Sequence, residues 1–436
     1  MDKETTSVQN HILIPVGLQR LYEVCRNVYP NQPNPLQVSA VVKYWLGGPD
    51  PLDYISMYAN HGVPELNIPP HWHYVSYGLS DLHGDGRVHQ TSCSGLPSGF
   101  GFELTFRLKR SPSETAPPTW PATLMQCLAK YVFNSGNTLC VGDHVSWHSG
   151  LDGKPHSKIH HILLDKDPQL PTVDGPCGTV EFVQIVGICK EELEAAQKWN
   201  GFGVLNILKK FPKLGGEFLV TDMSRSQHMF ELDGGILQEV ENGIIMAGSN
   251  LSGVSCHLVW SDRFISRKEI SNKSCFEDEF IKTYCPYINL NETDDLYTQK
   301  LQSFSIGDNI DYSQSKEFPL RLLDSLHLIL NEEAGHLLPL VASGRLKHGR
   351  HFTFKSTSNE IAVTFVAPDV TGSSKFVNSN QPFALYGSWL QIYIAENFLP
   401  ELEAAVDIFN KSNKVSLPKT FYWPCRRFAI SVISEN

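Results

Sequence analysis

From Phe100 to Leu108 apolar side chains fall on every second residue: Phe100, Phe102, Leu104, Phe106 and Leu108 alternate with small or polar neighbours. A period of two belongs to a strand with one buried face, so this stretch predicts a strand over Gly99–Leu108. Val38–Trp45 and Tyr54–Tyr58 read as strands around the Gly47-Gly-Pro-Asp-Pro turn, and His73–Leu79, Val180–Gly187 and Glu217–Asp222 as three more. Helical spacing of Leu18, Leu21, Tyr22 and Cys25 predicts a helix over Leu18–Asn27. Pro121 suits a first helical turn, and Leu124, Leu128, Tyr131 and Val132 form the stripe of a second helix that closes at Gly136. Glu191–Trp199 and Val204–Phe211 read as helices too.

After Trp260 the periodicity fades. Residues 261–318 are rich in Ser, Asn, Asp, Glu and Lys, which predicts a polar disordered insertion. The pattern resumes with strands at Leu322–Leu330, Arg350–Lys355, Ile361–Val366 and Trp389–Ile394, a helix near Leu399–Phe409 and a last strand, Phe428–Ile433. Strands and helices interleave through both hairpin-like and longer links. That favours an α+β fold of two mixed α/β-sheet domains over a doubly wound parallel sheet. The expected organisation is a flexible tail (1–16), an N-terminal domain (17–253) and a C-terminal domain (254–436) interrupted at about 261–318.

Length agrees: 436 residues hold two domains with cores of their own. Thirty-six basic against 46 acidic residues leave a net charge of −10. Such a chain is poorly suited to the phosphate backbone of nucleic acid and better suited to partners with basic or histidine-bearing segments. No apolar run approaches the roughly 18 residues of a membrane span, and the polar Met1-Asp-Lys-Glu start carries no signal-peptide core. Ten scattered cysteines without a Cys-x-x-Cys spacing point to reduced thiols in the cytosol.

Candidate chemistry is sparse. His71 and His73 share one side of a strand, and Asp81 and His83 follow, so a metal-dependent enzyme is the alternative reading. As a calcium loop the stretch fails, with His83 at the third position and Ser92 at the twelfth. Packing histidines beside Trp72, followed by a polar turn, are the favoured account. Cys140 lies near Asp143-His144 and Trp147-His148, yet neither Gly-x-Ser-x-Gly nor His-Glu-x-x-His occurs. Gly201-Phe-Gly203 lacks the third glycine of a dinucleotide loop and follows a helix. No catalytic residue, metal or cofactor is expected. The one dense basic run, Arg345–His351, alternates into Phe352 and Phe354 and reads as a strand with a solvated face. Tyr131, taken alone, is a helix-stripe aromatic and Asp143 a loop carboxylate.

Several blocks carry a resemblance. They are Asn34–Tyr58 with its Tyr-Trp-Leu-Gly-Gly-Pro-Asp-Pro-Leu core, Pro70–Leu82, Ser98–Arg110, Ala116–Pro121, Gly142–Ser149, Gly248–Ser255 and His348–Ser356. In order and content they resemble the Suppressor of fused family, from about Gly17 to the C-terminus. The resemblance implies a non-enzymatic negative regulator of Hedgehog signalling, acting in cytoplasm and nucleus by sequestering Gli/Ci-type zinc-finger transcription factors. A Fused-type kinase and other pathway proteins are further implied partners. It also implies that a Ser-Tyr-Gly-His-Leu-like segment enters a partner-binding groove between the two domains and pairs there as an added strand, with its histidine meeting an acid. Matched residue by residue, the tyrosine and acid are Tyr131 and Asp143. Leu139 falls on the apolar wall, and Val254, Cys256, Asp324 and Leu328 on the opposite side. Lys166, between Asp165 and Asp167, replaces an acidic groove position, and a hinge is implied near Gly253.

Overall fold

The structure is a computed structural model that describes residues 14–147, 149–271, 275–284, 320–358, 360–370, 375–411 and 415–434. It divides into two compact units, Met1–Val240 and Glu241–Asn436.

The first unit is built on one mixed sheet. Its strands are β1 (Leu36–Ser39), β2 (Tyr54–Asn60), β3 (His71–Tyr77), β4 (Pro97–Lys109), β5 (His144–Ser146), β6 (His161–Lys166), β7 (Val173–Gly175) and β8 (Gly178–Ile188). They run in the order β1-β2-β3-β4-β8-β6-β5, with β7 beside β8. Among these described strands β4 and β8 pair in parallel and the other neighbours antiparallel. The apolar positions of β4 (Phe102, Leu104, Phe106, Leu108) face helix α2 (Trp120–Ser135) through Leu124, Met125, Leu128 and Val132. The opposite face is covered by α1 (Val16–Val28), whose Leu18, Leu21, Val24 and Cys25 meet Tyr58, Val75, Tyr77 and Phe182. Covered on both sides, β3 is buried at every residue. Helices α3 (Lys190–Lys198), α4 (Gly201–Lys210), α5 (Met229–Leu232) and α6 (Gly235–Ala247) follow. The division between units falls within α6, upstream of the boundary expected at Gly253.

Two expected strands of this unit differ. Val38–Trp45 is strand only to Ser39; after the Ala40 N–H bond to Asp53 the chain leaves the sheet, Val41 is 99% exposed, and Tyr44–Leu46 makes a 3₁₀ turn stopped by left-handed Gly47. Glu217–Asp222 is a loop that touches β4 through a single bridge, Leu108 to Thr221. Positive φ at Gly215, Gly216 and Leu219 bends it away from strand geometry.

The second unit holds two sheets. A six-stranded one runs β11 (Arg321–Leu322), β15 (Phe383–Tyr386), β16 (Trp389–Tyr393), β14 (Ala362–Val366), β13 (Phe352–Ser356), β9 (Gly253–Cys256). A four-stranded one runs β10 (Leu258–Ser261), β12 (Leu326–Asn331), β18 (Phe428–Ile433), β17 (Lys419–Trp423). Leu328, Leu330, Phe352, Phe354, Phe365, Ile392, Phe428 and Ile430 share one core.

The polar stretch expected to be disordered from Ser261 begins folded. Helices α7 (Arg267–Ser271) and α8 (Asp278–Tyr284) bury Ile265, Ile270, Cys275, Phe280 and Ile281 against Val259, Ile329 and Ile433. These few apolar residues are diluted by charge in the sequence, which hides their spacing. The rest of the expected insertion, from residue 285, and most of the N-terminal tail lie outside the described residues. Arg345–His351 is not a strand either: it is a tight turn with Arg345 buried, and β13 starts only at Phe352.

Candidate functional site

Strand β5 closes one edge of the first unit's sheet and, among the described residues, is paired on one side only, with β6. The turn that delivers it is fixed by glycine. Asp143 N–H donates to the Cys140 carbonyl (3.1 Å), and Gly142 holds a φ of +91°. Gly142 N–H donates to the Leu164 carbonyl (2.7 Å), while Leu164 N–H donates to the Asp143 carbonyl (2.9 Å). Two residues oppose one, with a positive-φ glycine first, as in a G1-type β-bulge. A Cβ on Gly142 would lie 2.6 Å from the Phe202 ring, and one on Gly201 would lie 2.1 Å from the Gly142 carbonyl. The first turn of α4 is thus packed directly on the bulge.

The bulge leaves Asp143 exposed at the start of the free edge. Its Oδ2 accepts from Cys140 N–H (2.8 Å), which orients the carboxylate and leaves Oδ1 open. Tyr131, on the last turns of α2, is 49% exposed and its hydroxyl accepts from Asn137 Nδ2 (3.1 Å). Leu139 is turned inward and joins the core containing Leu128 and Val132. Lys166 is exposed, while its acidic neighbours are engaged: Asp165 with Lys209 (2.7 Å) and Asp167 with Arg107 (2.9 Å).

In the second unit, β9 lies at the end of the six-stranded sheet, its ladder among the described residues being with β13. Gly253 is required there, since a Cβ would meet the Thr353 carbonyl at 2.6 Å. Val254 is half-buried on this edge, and Cys256 is buried on the same face. Leu328 is fully buried in β12, between β10 and β18, and is a core residue rather than a surface contact. Asp324 is exposed, but it follows β11, the opposite edge of the six-stranded sheet from β9. Val254, Cys256 and Leu328 join one apolar core, and Asp324 lies at the surface.

The histidines of the metal alternative are parts of a buried polar network. Arg107 Nη2 donates to both oxygens of Asp167 (2.9 and 3.0 Å), its Nε donates to Gln184 Oε1 (2.9 Å), and its Nη1 donates to Gln169 Oε1 (2.8 Å). His71 Nε2 accepts from Arg107 Nη1 (2.9 Å), so its Nδ1–H donates to the Pro69 carbonyl (2.8 Å). His73 Nε2–H donates to Asp167 (3.0 Å), and its Nδ1 accepts from the Tyr29 hydroxyl (2.8 Å). Burial and the adjacent Arg107 charge push His71 down to about 3 and His73 to about 4, so both are neutral. Burial alone would raise Asp167, but Arg107 and His73 hold its carboxyl well below the usual range. Asp81 and His83 are elsewhere: Asp81 Oδ1 accepts the amides of His83 (3.0 Å) and Gly84 (2.9 Å), and His83 Nε2 faces Asp53 (3.6 Å). Among the described residues no group of three His, Cys, Asp or Glu is arranged to hold a metal.

The Arg107–Asp167 pair is what periodicity misses, because Glu103, Thr105 and Arg107 occupy the polar positions of β4 yet are all fully buried. The signal is the histidine pair on β3, which alternates in step with them across the sheet.

Residues 48–226 match the family described as Suppressor of fused protein, and residues 238–432 match the Suppressor of Fused Gli/Ci N terminal binding domain. The mouse and human proteins named Suppressor of fused homolog are each 46% identical over 449 residues, spanning 96% of this chain and 92% of theirs. The crystal structure of Drosophila Suppressor of Fused has a TM-score of 0.74 and 38% identity, covering 96% of this chain and 97% of that one. A chain of the Sufu–Fu complex crystal structure has a TM-score of 0.51 and 50% identity, covering 52% of this chain and 98% of that one. Two matched halves in the same order, high identity over nearly the whole length and a shared mixed-sheet fold agree: the chain belongs to the Suppressor of fused family, a regulatory rather than an enzymatic family.

Proposed function

We propose that this protein is a negative regulator of Hedgehog signalling that sequesters a Gli/Ci-type zinc-finger transcription factor, in cytoplasm and nucleus, by accepting a short extended segment of it as an added strand. The observation that carries this reading is the free edge of β5, with Asp143 presented at its start by a glycine bulge. An open edge offers backbone donors and acceptors to any extended chain, so affinity is general and selection falls to side chains. Asp143, with one oxygen oriented by Cys140 and one open, selects a segment carrying an imidazole, as in a Ser-Tyr-Gly-His-Leu-like core. Tyr131 adds an exposed aromatic contact, and the open edge of β9 with Val254 gives the second unit a surface of the same kind. The matched C-terminal domain, described by its Gli/Ci binding, supports the choice of partner, and the relative in the Sufu–Fu complex supports a Fused-type kinase as another.

Calorimetric titration of the full chain with such a peptide tests the reading. Asp143→Arg should lose about 2–5 kcal/mol of binding with unchanged circular dichroism. Wild-type affinity in that variant rejects the assignment.

A further inference from the structure

Beside the start of β5 the first unit carries an open cleft of about 720 Å³ that takes no part in the reading above. One face of α4 lines it, with Phe202, Asn206, Lys209 and Lys210 at helical spacing, and half-buried Trp199 joins them from just ahead of the helix. The indole packs against α4 because Gly203 has no side chain: a Cβ there would stand 2.3 Å from the Trp199 ring. Asn200 caps the same turn, its Oδ1 accepting from Gly203 N–H (2.6 Å). Phe202 is exposed and lies against Gly142, the residue before Asp143. Glu217 and Glu239 complete the lining. Glu217 is carried on a tight turn, in which Leu219 N–H donates to the Gly216 carbonyl (2.8 Å) and Val220 N–H to the Gly215 carbonyl (3.0 Å).

The charges in this cleft do not cancel. Lys209 is answered by Asp165 (2.7 Å) and Lys210 by Glu239 (2.6 Å). Glu217 is exposed and, among the described residues, its carboxylate has neither an ion pair nor a hydrogen bond. One acid is therefore left over, and two aromatic rings line the same space. A carboxylate near aromatic faces suits a cation on an apolar stem, since the rings cover the stem while the acid pairs with the head. The chain as a whole leans the same way, with a net charge of −10.

We infer that this cleft receives an arginine side chain of the partner segment, placed outside its Ser-Tyr-Gly-His-Leu-like core. A guanidinium both stacks on aromatic faces and pairs with a carboxylate through a planar fork. This placement rests on the strand-addition reading, because β5 sets the path of the segment. A chain paired along β5 that continues past Asp143 reaches Phe202 within a few residues, at roughly 3.3 Å per residue. Strand β5 runs away from the cleft. An antiparallel partner therefore presents the arginine on the C-terminal side of its core, and a parallel one on the N-terminal side.

Calorimetric titration of the full chain tests the cleft, using the core peptide alone and the same peptide extended on either flank by a short tail bearing arginine or, in its place, glutamine. On at least one flank the arginine tail should bind about fivefold tighter than the glutamine tail. Glu217→Gln, at an exposed turn position, should erase that gain and leave affinity for the core peptide unchanged. Glu217→Lys should reverse the preference, so that a tail bearing glutamate binds more tightly than one bearing arginine. Equal affinity for arginine and glutamine tails on both flanks, or a gain that survives Glu217→Gln, overturns the assignment of the cleft while strand addition stands. A core peptide that does not bind the wild type removes both.

Discussion

The amide of Gly142 donates to the carbonyl of Leu164 at 2.7 Å, and this one bond sets Asp143 at the open edge of the sheet. Without it, Gly142 and Asp143 would not both oppose Leu164, and the carboxylate would shift along the strand. Gly142→Ala is therefore expected to do harm twice over, through a φ of +91° and through a Cβ 2.6 Å from the Phe202 ring. A stability loss of about 1–3 kcal/mol should accompany weakened binding of the partner segment. Urea unfolding and calorimetric titration measure both; native values for both would deny the bulge its role.

Replacing charge alone separates electrostatics from strand addition. The partner's imidazole has a free pKa of about 6.5. Its protonation strengthens attraction to the Asp143 carboxylate, so affinity should rise up to about tenfold from pH 7.5 to pH 6. Asp143→Asn keeps the shape and should flatten that dependence. An equally steep profile in the variant would place the histidine elsewhere.

The buried pair in the first unit makes a prediction about stability. Asp167 receives Arg107 through both oxygens and also accepts from His73, Thr105 and the amides of Gln169 and Leu170. Asp167→Ala strands the Arg107 charge in the core and should cost about 3–5 kcal/mol. Differential scanning calorimetry reads the change; a loss below about 1 kcal/mol would mean that the network is dispensable.

Acid should loosen the same unit before its carboxylates titrate. His71 and His73 are held neutral, at about 3 and about 4, against about 6.5 in an unfolded chain. Between pH 6.5 and 4 the unfolded state binds protons that the folded state refuses, so stability falls as pH falls across that window. The loss should be on the order of 3 kcal/mol per histidine at the lower end. His73→Gln should show a shallower dependence in urea unfolding between pH 7.5 and 4.5, and an unaltered slope would contradict the account.

Elements whose apolar residues are contiguous or evenly spaced are legible in the chain. Phe428–Ile433 is strand β18 as read, and the alternation in β4 gives its apolar face correctly. Legibility ends where a second layer intervenes. The polar positions Glu103, Thr105 and Arg107 read as solvent-facing until their buried partners are known, Ser76 and Ser80 for Glu103 and Asp167 for Thr105 and Arg107. The folded start of the polar stretch is concealed for a related reason, since Ile270, Phe280 and Ile281 are too few to set a period. At the candidate site, Tyr131 and Asp143 owe their selection to the resemblance, because an exposed aromatic and a loop carboxylate carry no local signal. Gly142 directly before Asp143 is the signal that could have revealed the bulge. Leu139, Cys256 and Leu328, expected at a contact wall, are buried within their own units.

Hydrogen exchange of the full chain, with and without a Ser-Tyr-Gly-His-Leu-type peptide, tests strand addition most directly. Backbone amides of β5 that point away from β6, on alternate residues within 144–146, should become protected on binding, because an added strand supplies partners along the open side of β5. Saturating peptide that leaves exchange over those residues unchanged would contradict the account.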